Sequence, residues 1–301
     1  MTHVATLIAP DGQLDARATD RARALLPNAA APRWLCAATA ADILFSVDSA
    51  TNQREMAERL RAALGTPIDV VVQPEAHRRK KLFVADMDST MIGQECIDEL
   101  ADYAGLKARI AAITERAMRG EIAFEPALRE RVALLKDLPV GTIDDVLAKR
   151  ITPTAGGRAL VATMRANGAW TCLVSGGLTV FTEKVATLIG FDENRGNRLL
   201  MRGDTLAGSV VEPIFGRDSK RTALAELRSR FGLTHADTLA AGDGANDLDM
   251  IADAGLGIAY RAKPKVAAAA QARIEYCDLT ALLYAQGYRR EEFVEASTAA
   301  R

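Results

Sequence analysis

Leu82-Phe83-Val84-Ala85-Asp86-Met87-Asp88-Ser89-Thr90 decides how the rest of this chain is read. An apolar run ends in two carboxylates. A strand buried on both faces of a parallel sheet needs such an uninterrupted run, and it delivers polar groups at its carboxyl end. Side-chain direction repeats every second residue in an extended chain, so Asp86 and Asp88 can face the same side. Loops are rich in aspartate, however, and the pair alone does not separate a site from an ordinary turn.

Downstream, residues 94–150 read as successive amphipathic helices: CIDELADYAG, KARIAAITERAMRG, FEPALRERVALLKDL and TIDDVLAKR, with no strand among them. They predict a helical insertion. From Thr152 helices alternate with short apolar strands (WTCLVSGG, TLAA, LGIAY), as in a mostly parallel, doubly wound α/β sheet. Upstream, HVATLIA, DARATDRARALL, RWLCA, DILFSV, NQREMAERLRAAL and IDVVVQP give the order βαββαβ. That order suits a small split-βαβ sandwich and is similar in topology to the ACT-like appendages of some amino-acid-metabolism enzymes. The expected division is an ACT-like α+β domain over residues 1–78 and an α/β domain over 79–301, capped by helices at about 94–150. His77-Arg78-Arg79-Lys80-Lys81 between them reads as a solvated linker, and RREEFVEASTAAR at the end as a loose tail.

Three further polar clusters lie at or beside the ends of predicted strands. Ser175-Gly176-Gly177 precedes a helix, where small residues let backbone N–H groups approach an anion and the helix terminus adds positive partial charge. Lys220 begins another helix and offers a point charge for phosphate. Asp243-Gly244-Ala245-Asn246-Asp247 supplies oxygen ligands on a tight turn. It lacks the third glycine of a dinucleotide fingerprint. Each is unremarkable alone, since S-G-G is a common turn and most lysines are surface lysines. Their shared placement across the whole domain is what points to a site.

D-x-D-S-T, S-G-G, a lone lysine and G-D-G-x-N-D, in that order, resemble the phosphatases of the haloacid dehalogenase (HAD) superfamily. EPALRERVALLKDLP, ITPTAGG, VSGGL and GDGANDLDM are similar to its phosphoserine phosphatase branch, over roughly residues 80–285. The resemblance implies a HAD-like fold and hydrolysis of O-phospho-L-serine to serine and phosphate, the last step of serine biosynthesis, through an aspartyl-phosphate on Asp86. Asp88 would act as acid and then base. An aspartate with an ordinary pKa of about 3.9 donates poorly at neutral pH, so that role requires an upward shift. The resemblance further implies magnesium held by Asp86, Asp243 and the backbone carbonyl of Asp88, with Asp247 behind them, and phosphoryl oxygens held by Ser175, Gly176, Lys220 and Asn246. By helical position alone Arg131 is a solvated residue and Phe124 a core residue. The resemblance instead assigns Arg131 to the substrate carboxylate, Glu95 to its ammonium and Phe124 to an apolar lid.

Another small phosphate ester as substrate, or phosphoryl transfer to an alcohol such as homoserine, remains open at this point. A dehalogenase or phosphonatase is disfavoured by Asp88, and a purely regulatory amino-acid-binding protein by the intact set Asp86, Asp88, Lys220 and Asp243. His3, His77 and His235 lie outside every cluster, which disfavours a phosphohistidine route.

The 301 residues are long for one core and comfortable for two modules. With 49% hydrophobic and 26% charged residues, and Lys plus Arg at 38 against Asp plus Glu at 39, the composition is that of a globular protein without the basic excess of a nucleic-acid binder. No stretch approaches the roughly 20 apolar residues of a membrane span, and the N-terminus does not read as a signal peptide. Cys36, Cys96, Cys172 and Cys277 form no C-x-x-C pair, so reduced thiols in a cytosolic protein are expected, with no zinc site. The expected partners are a small-molecule substrate and a second copy of the chain.

Overall fold

The structure is a computed structural model that describes residues 2–47, 52–65, 67–119 and 121–295. Its first unit runs β1 (Thr2–Ile8), α1 (Ala16–Ala24), β2 (Arg33–Cys36), β3 (Ala40–Ser46), α2 (Gln53–Leu64) and β4 (Asp69–Pro74). Asp15 and Asn52 start the two helices, each side chain accepting a backbone N–H three residues on, at 2.7 and 3.2 Å. The strands form an antiparallel sheet in the order β2-β3-β1-β4, the split-βαβ arrangement. Inward residues such as Leu7, Ile43 and Val70 pack with Met56 and Leu60 of α2.

After β5 (Leu82–Asp86), the chain enters four helices, α3 (Cys96–Tyr103), α4 (Lys107–Met118), α5 (Phe124–Leu134) and α6 (Gly141–Arg150). Both stalks of this cap meet at an antiparallel bridge between Ile92 and Pro153, tightened by Gly93 N–H to Thr152 O at 3.2 Å and Thr154 N–H to Met91 O at 2.9 Å. Then come α7 (Gly157–Ala166), β6 (Trp170–Leu178), α8 (Thr179–Ile189), β7 (Glu193–Asn197), β8 (Leu199–Arg202), β9 (Thr205–Val210), α9 (Arg217–Arg230) and β10 (Thr238–Gly242). The chain finishes with α10 (Leu248–Ala252), β11 (Leu256–Tyr260), α11 (Pro264–Ala269), β12 (Ala272–Ile274) and α12 (Ala281–Ala285).

The main sheet is parallel, in the order β12-β11-β10-β5-β6-β7. The chain fills one side of β5 with β6 and β7, then returns to build the other side from β10. The carboxyl end of β5 is therefore the switch point, where open α/β sheets bind ligands. Among the described residues no helix is long and apolar enough to cross a membrane, and the four cysteines are unpaired.

Two sequence expectations are corrected, and one element is added. The β8–β9 hairpin was not anticipated, because its strands lack a clean apolar alternation. It is sewn to the cap: Asp137 N–H bonds Leu206 O, Val140 N–H bonds Asp204 O, and Leu206 N–H returns to Leu138 O, all at 2.9 Å. The terminal segment is not loose through residue 295. Phe293 lies 4.9 Å from the Tyr284 ring, Val294 N–H donates to Thr163 Oγ1 at 2.8 Å, and residues 296–301 lie outside the described residues.

The basic run is not wholly solvated either. Lys80 is buried, and Arg78 turns inward to bind Asp42 through both Nη atoms at 2.5 and 2.6 Å while its Nε donates to Ala285 O at 2.9 Å. Asp42 is only 2% exposed, so it needs that partner. Removing one side of a buried pair typically costs about 3–5 kcal/mol, because the other charge is left uncompensated. Arg78→Ala is accordingly expected to lower the urea midpoint by a corresponding amount. A wild-type midpoint would show that Thr6, which also donates to Asp42 at 2.9 Å, suffices.

Candidate active site

Asp86 closes β5 with its Oδ1 accepting Met87 N–H at 2.8 Å and Lys220 Nζ at 2.6 Å. Both bonds fall on one oxygen, leaving Oδ2 for chemistry. The next five residues form a tight turn that brings Asp88 beside Asp86 in one cavity. Asp88 Oδ1 accepts Cys96 N–H at 3.0 Å, and its Oδ2 lies 3.3 Å from Ser175 Oγ. Thr90 donates across to Asp243 Oδ1 at 3.1 Å, linking the carboxyl ends of β5 and β10.

Lys220 reaches from α9 into the floor of the site. It is 1% exposed, and its ammonium is shared between Asp86 and Asp247, each at 2.6 Å. The second Asp247 oxygen accepts Gly244 N–H at 2.9 Å. A Cβ on Gly242 would stand 2.5 Å from Asp247 Cγ, so only glycine lets this turn fold over that carboxylate.

Asp86, Asp243 and Asp247 each place an oxygen within 4.8 Å of the others. Both oxygens of Asp247 are already engaged, which leaves Asp86 and Asp243 as carboxylates with capacity to spare. Hard oxygen donors converging this closely suit a divalent cation of the magnesium or calcium type.

Electrostatics agree with a site that gathers negative charge. Burial, then Asp247, push the Asp86 carboxyl well above its usual range, against the pull of Lys220. Burial and Glu95 push Asp88 up to about 7, and burial and Asp247 push Asp243 up to about 6. Burial works to lower the Lys220 pKa, but Asp247 and Asp86 outweigh it and raise it, so the ammonium stays charged.

Above this floor lies a cavity of about 160 Å³ lined by Asp86, Asp88, Glu95, Phe124, Arg131, Ser175, Gly176, Asp243 and Asn246. Lys220 and Asp247 sit beneath it. Ser175 Oγ accepts Gly177 N–H at 2.9 Å, fixing the loop after β6. A Cβ on Gly176 would stand 3.0 Å from Phe124 Cζ, so the glycine is what lets the cap's phenylalanine close onto this loop. The Arg131 guanidinium is half-buried, which lowers its pKa, while the carboxylates of Asp98, Glu95 and Asp88 oppose that shift.

The sequence profile of the haloacid dehalogenase-like hydrolases matches residues 83–252, more than half of the chain. The chain belongs to that family. A phosphoserine phosphatase of Polaromonas sp. is 43% identical to this hydrolase over 208 residues, 67% of this chain and 88% of the relative. A crystal structure of a HAD family hydrolase from Salmonella enterica serovar Typhi has a TM-score of 0.84 at 29% identity, covering 94% of this chain and 97% of its own. A structure described as a phospho-aspartyl intermediate analogue of phosphoserine phosphatase covers 68% of this hydrolase and 98% of its own chain, at 38% identity and a TM-score of 0.63.

Several residues of the site escaped the sequence reading. Leu128 lines the cavity from α5, four residues after Phe124 and three before Arg131. That spacing puts all three on one helix face and was a usable signal. Lys263 also lines the cavity, just past β11, where strand-end position was the only clue. Asn197 is buried and staples two loops, donating to Gly176 O and Phe215 O at 2.9 Å each and accepting Phe215 N–H at 2.7 Å. It sits in the polar strand ENRGN, where nothing marks it.

Proposed function

We propose that this hydrolase cleaves O-phospho-L-serine to serine and inorganic phosphate by way of a phosphorylated Asp86. One observation carries the substrate choice: a single small cavity joins the Asp86, Ser175 and Asn246 end to a cation and an anion, Arg131 and Glu95. Phosphoserine has a phosphate at one end and a carboxylate and ammonium at the other. A guanidinium fork matches the carboxylate, and Glu95 matches the ammonium.

Phosphoryl transfer asks mainly for positioning and charge neutralisation. Asp86 Oδ2 attacks phosphorus as the bond to the serine oxygen breaks, forming an acyl phosphate. Asp88, protonated near neutrality, gives its proton to the departing oxygen. Water then attacks the phosphorus of phospho-Asp86 and loses a proton to Asp88, which releases phosphate and restores both carboxyl groups. Lys220, Ser175, Gly176 and Asn246 hold the phosphoryl oxygens, and Phe124 closes over the site to exclude water. Magnesium, held by Asp86, Asp243 and the Asp88 carbonyl with Asp247 behind, supplies neutralisation of the phosphoryl charge when bound. In this reading residues 1–78 form an ACT-like unit and 79–301 the phosphatase unit of a cytosolic homodimer, supported by the edge strand β2 with Trp34 40% exposed.

The test is phosphate release from phosphoserine and from p-nitrophenyl phosphate, with magnesium. Arg131→Ala removes a charged hydrogen-bond partner worth about 1.5–3 kcal/mol, so kcat/KM for phosphoserine is expected to fall about ten- to hundredfold while the aryl ester is spared. Equal losses on both esters would remove Arg131 from substrate choice.

The proton inventory gives a second test. Asp88 must be protonated to act first as an acid, and its pKa is pushed up to about 7. As pH rises above that value the acid form declines, so kcat/KM for phosphoserine is expected to drop about tenfold per pH unit. Nitrophenolate leaves without a proton, so the aryl ester should show a much shallower alkaline limb. Identical limbs would count against Asp88 as the acid.

A further inference from the structure

Ser89 takes no part in the reaction as derived above, yet its placement is costly. Its backbone has φ 56 and ψ 0, the left-handed region that non-glycine residues seldom occupy. The loop around it is pinned, with Ile92 N–H bonded to Met87 O at 3.0 Å and Ser89 N–H bonded to Gln94 O at 3.2 Å. In that conformation Ser89 Oγ donates to Glu95 Oε1 at 2.8 Å. Among the described residues no other side chain hydrogen-bonds Glu95, which is exposed and begins α3 without capping it.

An exposed glutamate samples many rotamers, and fixing one on binding costs affinity unless it is already fixed. We propose that Ser89 is a specificity-determining positioning residue, whose hydroxyl holds the Glu95 carboxylate at the cavity mouth in the pose that receives the substrate ammonium. Glycine, valine or alanine at this position would leave Glu95 free. This inference rests on the reading of Glu95 given above. It makes the strained turn after the nucleophile part of substrate choice as well as of catalysis, because one residue ties the Asp86–Asp88 loop to the first turn of the cap.

The test is steady-state kinetics of the full-length, magnesium-loaded enzyme on phosphoserine and p-nitrophenyl phosphate. Ser89→Gly keeps the left-handed backbone without strain and deletes only the hydroxyl. KM for phosphoserine is expected to rise about tenfold, the value of one hydrogen bond to a charged group, with kcat and the aryl ester little changed. Ser89→Asn tolerates the same backbone and restores a donor, and should recover part of the loss. Glu95→Gln should itself raise KM for phosphoserine, and adding Ser89→Gly to it should do nothing further.

If Glu95→Gln raises KM and Ser89→Gly does not, the positioning role is overturned while the ammonium site stands. A Ser89→Gly loss shared equally by both esters would show a merely structural residue and also overturn the proposal. If Glu95→Gln leaves KM unchanged, the ammonium site itself fails and the Ser89 role falls with it.

Discussion

Asp86→Asn is expected to lower phosphate release from phosphoserine by about four orders of magnitude or more, as removal of a covalent nucleophile does when the remaining machinery is intact. Asparagine keeps the shape of the side chain and can still accept from Lys220 and from Met87 N–H through its oxygen. It cannot form an acyl phosphate. The fold should tolerate the change well, because burial and Asp247 already push the Asp86 carboxyl toward its neutral form. The unfolding midpoint is therefore expected to stay at or above that of the wild type, which separates lost chemistry from lost structure. Acid-quenched wild-type enzyme should carry one phosphoryl group by mass spectrometry, and the variant none. A variant that turns over phosphoserine at a substantial rate would remove Asp86 as the nucleophile and leave direct attack by water as the mechanism.

What could be read from the sequence follows the physics of burial. LFVAD, WTCLVSGG and TLAAG are covered on both faces, so burial writes them as apolar runs, and each ends at a carboxylate or a glycine loop. The edge strand ENRGN is covered on fewer sides and carries no such run, so both the strand and Asn197 within it went unread. Arg78 looks like linker charge because its partner Asp42 is 36 residues away, and no local pattern announces a pairing of that range. The same holds inside the site. Asp86 and Asp88 are visible as a spacing, but the hold of Ser89 on Glu95 depends on a left-handed backbone angle that serine rarely adopts. Side-chain clusters set by strand ends were legible; those set by an unusual turn or a distant charge were not.

Lys220 offers the sharpest test of how the floor is balanced. Lys220→Met keeps most of the side-chain volume and removes the ammonium from between Asp86 and Asp247, each now 2.6 Å from it. Activity is expected to fall about 10²–10³-fold or more if, as proposed, the ammonium helps to neutralise developing phosphoryl charge. Stability should fall as well, by about 3–5 kcal/mol where the carboxylates are ionised, since they lose their shared partner. The pH dependence gives this cost its signature. The folded-state pKa of Asp86 already lies above its unfolded value, so folding favours the protonated form, and that favour is lost as pH rises through the folded pKa. Lys220 is the force that opposes the upward shift. Without it Asp86 moves higher still, so the variant matches the wild type best in acid, where the carboxyl is neutral in both, and falls further behind once the wild-type carboxyl can ionise beside Lys220 and the variant's cannot. Urea unfolding in magnesium-free buffer, followed across a pH series, should therefore show a gap between wild type and variant that is smallest in acid and widens as pH rises through the wild-type folded pKa of Asp86. A gap of constant size across the whole pH series would mean that Lys220 stabilises the fold by filling space, and that the balance among Asp86, Asp247 and the ammonium is not what holds the floor together.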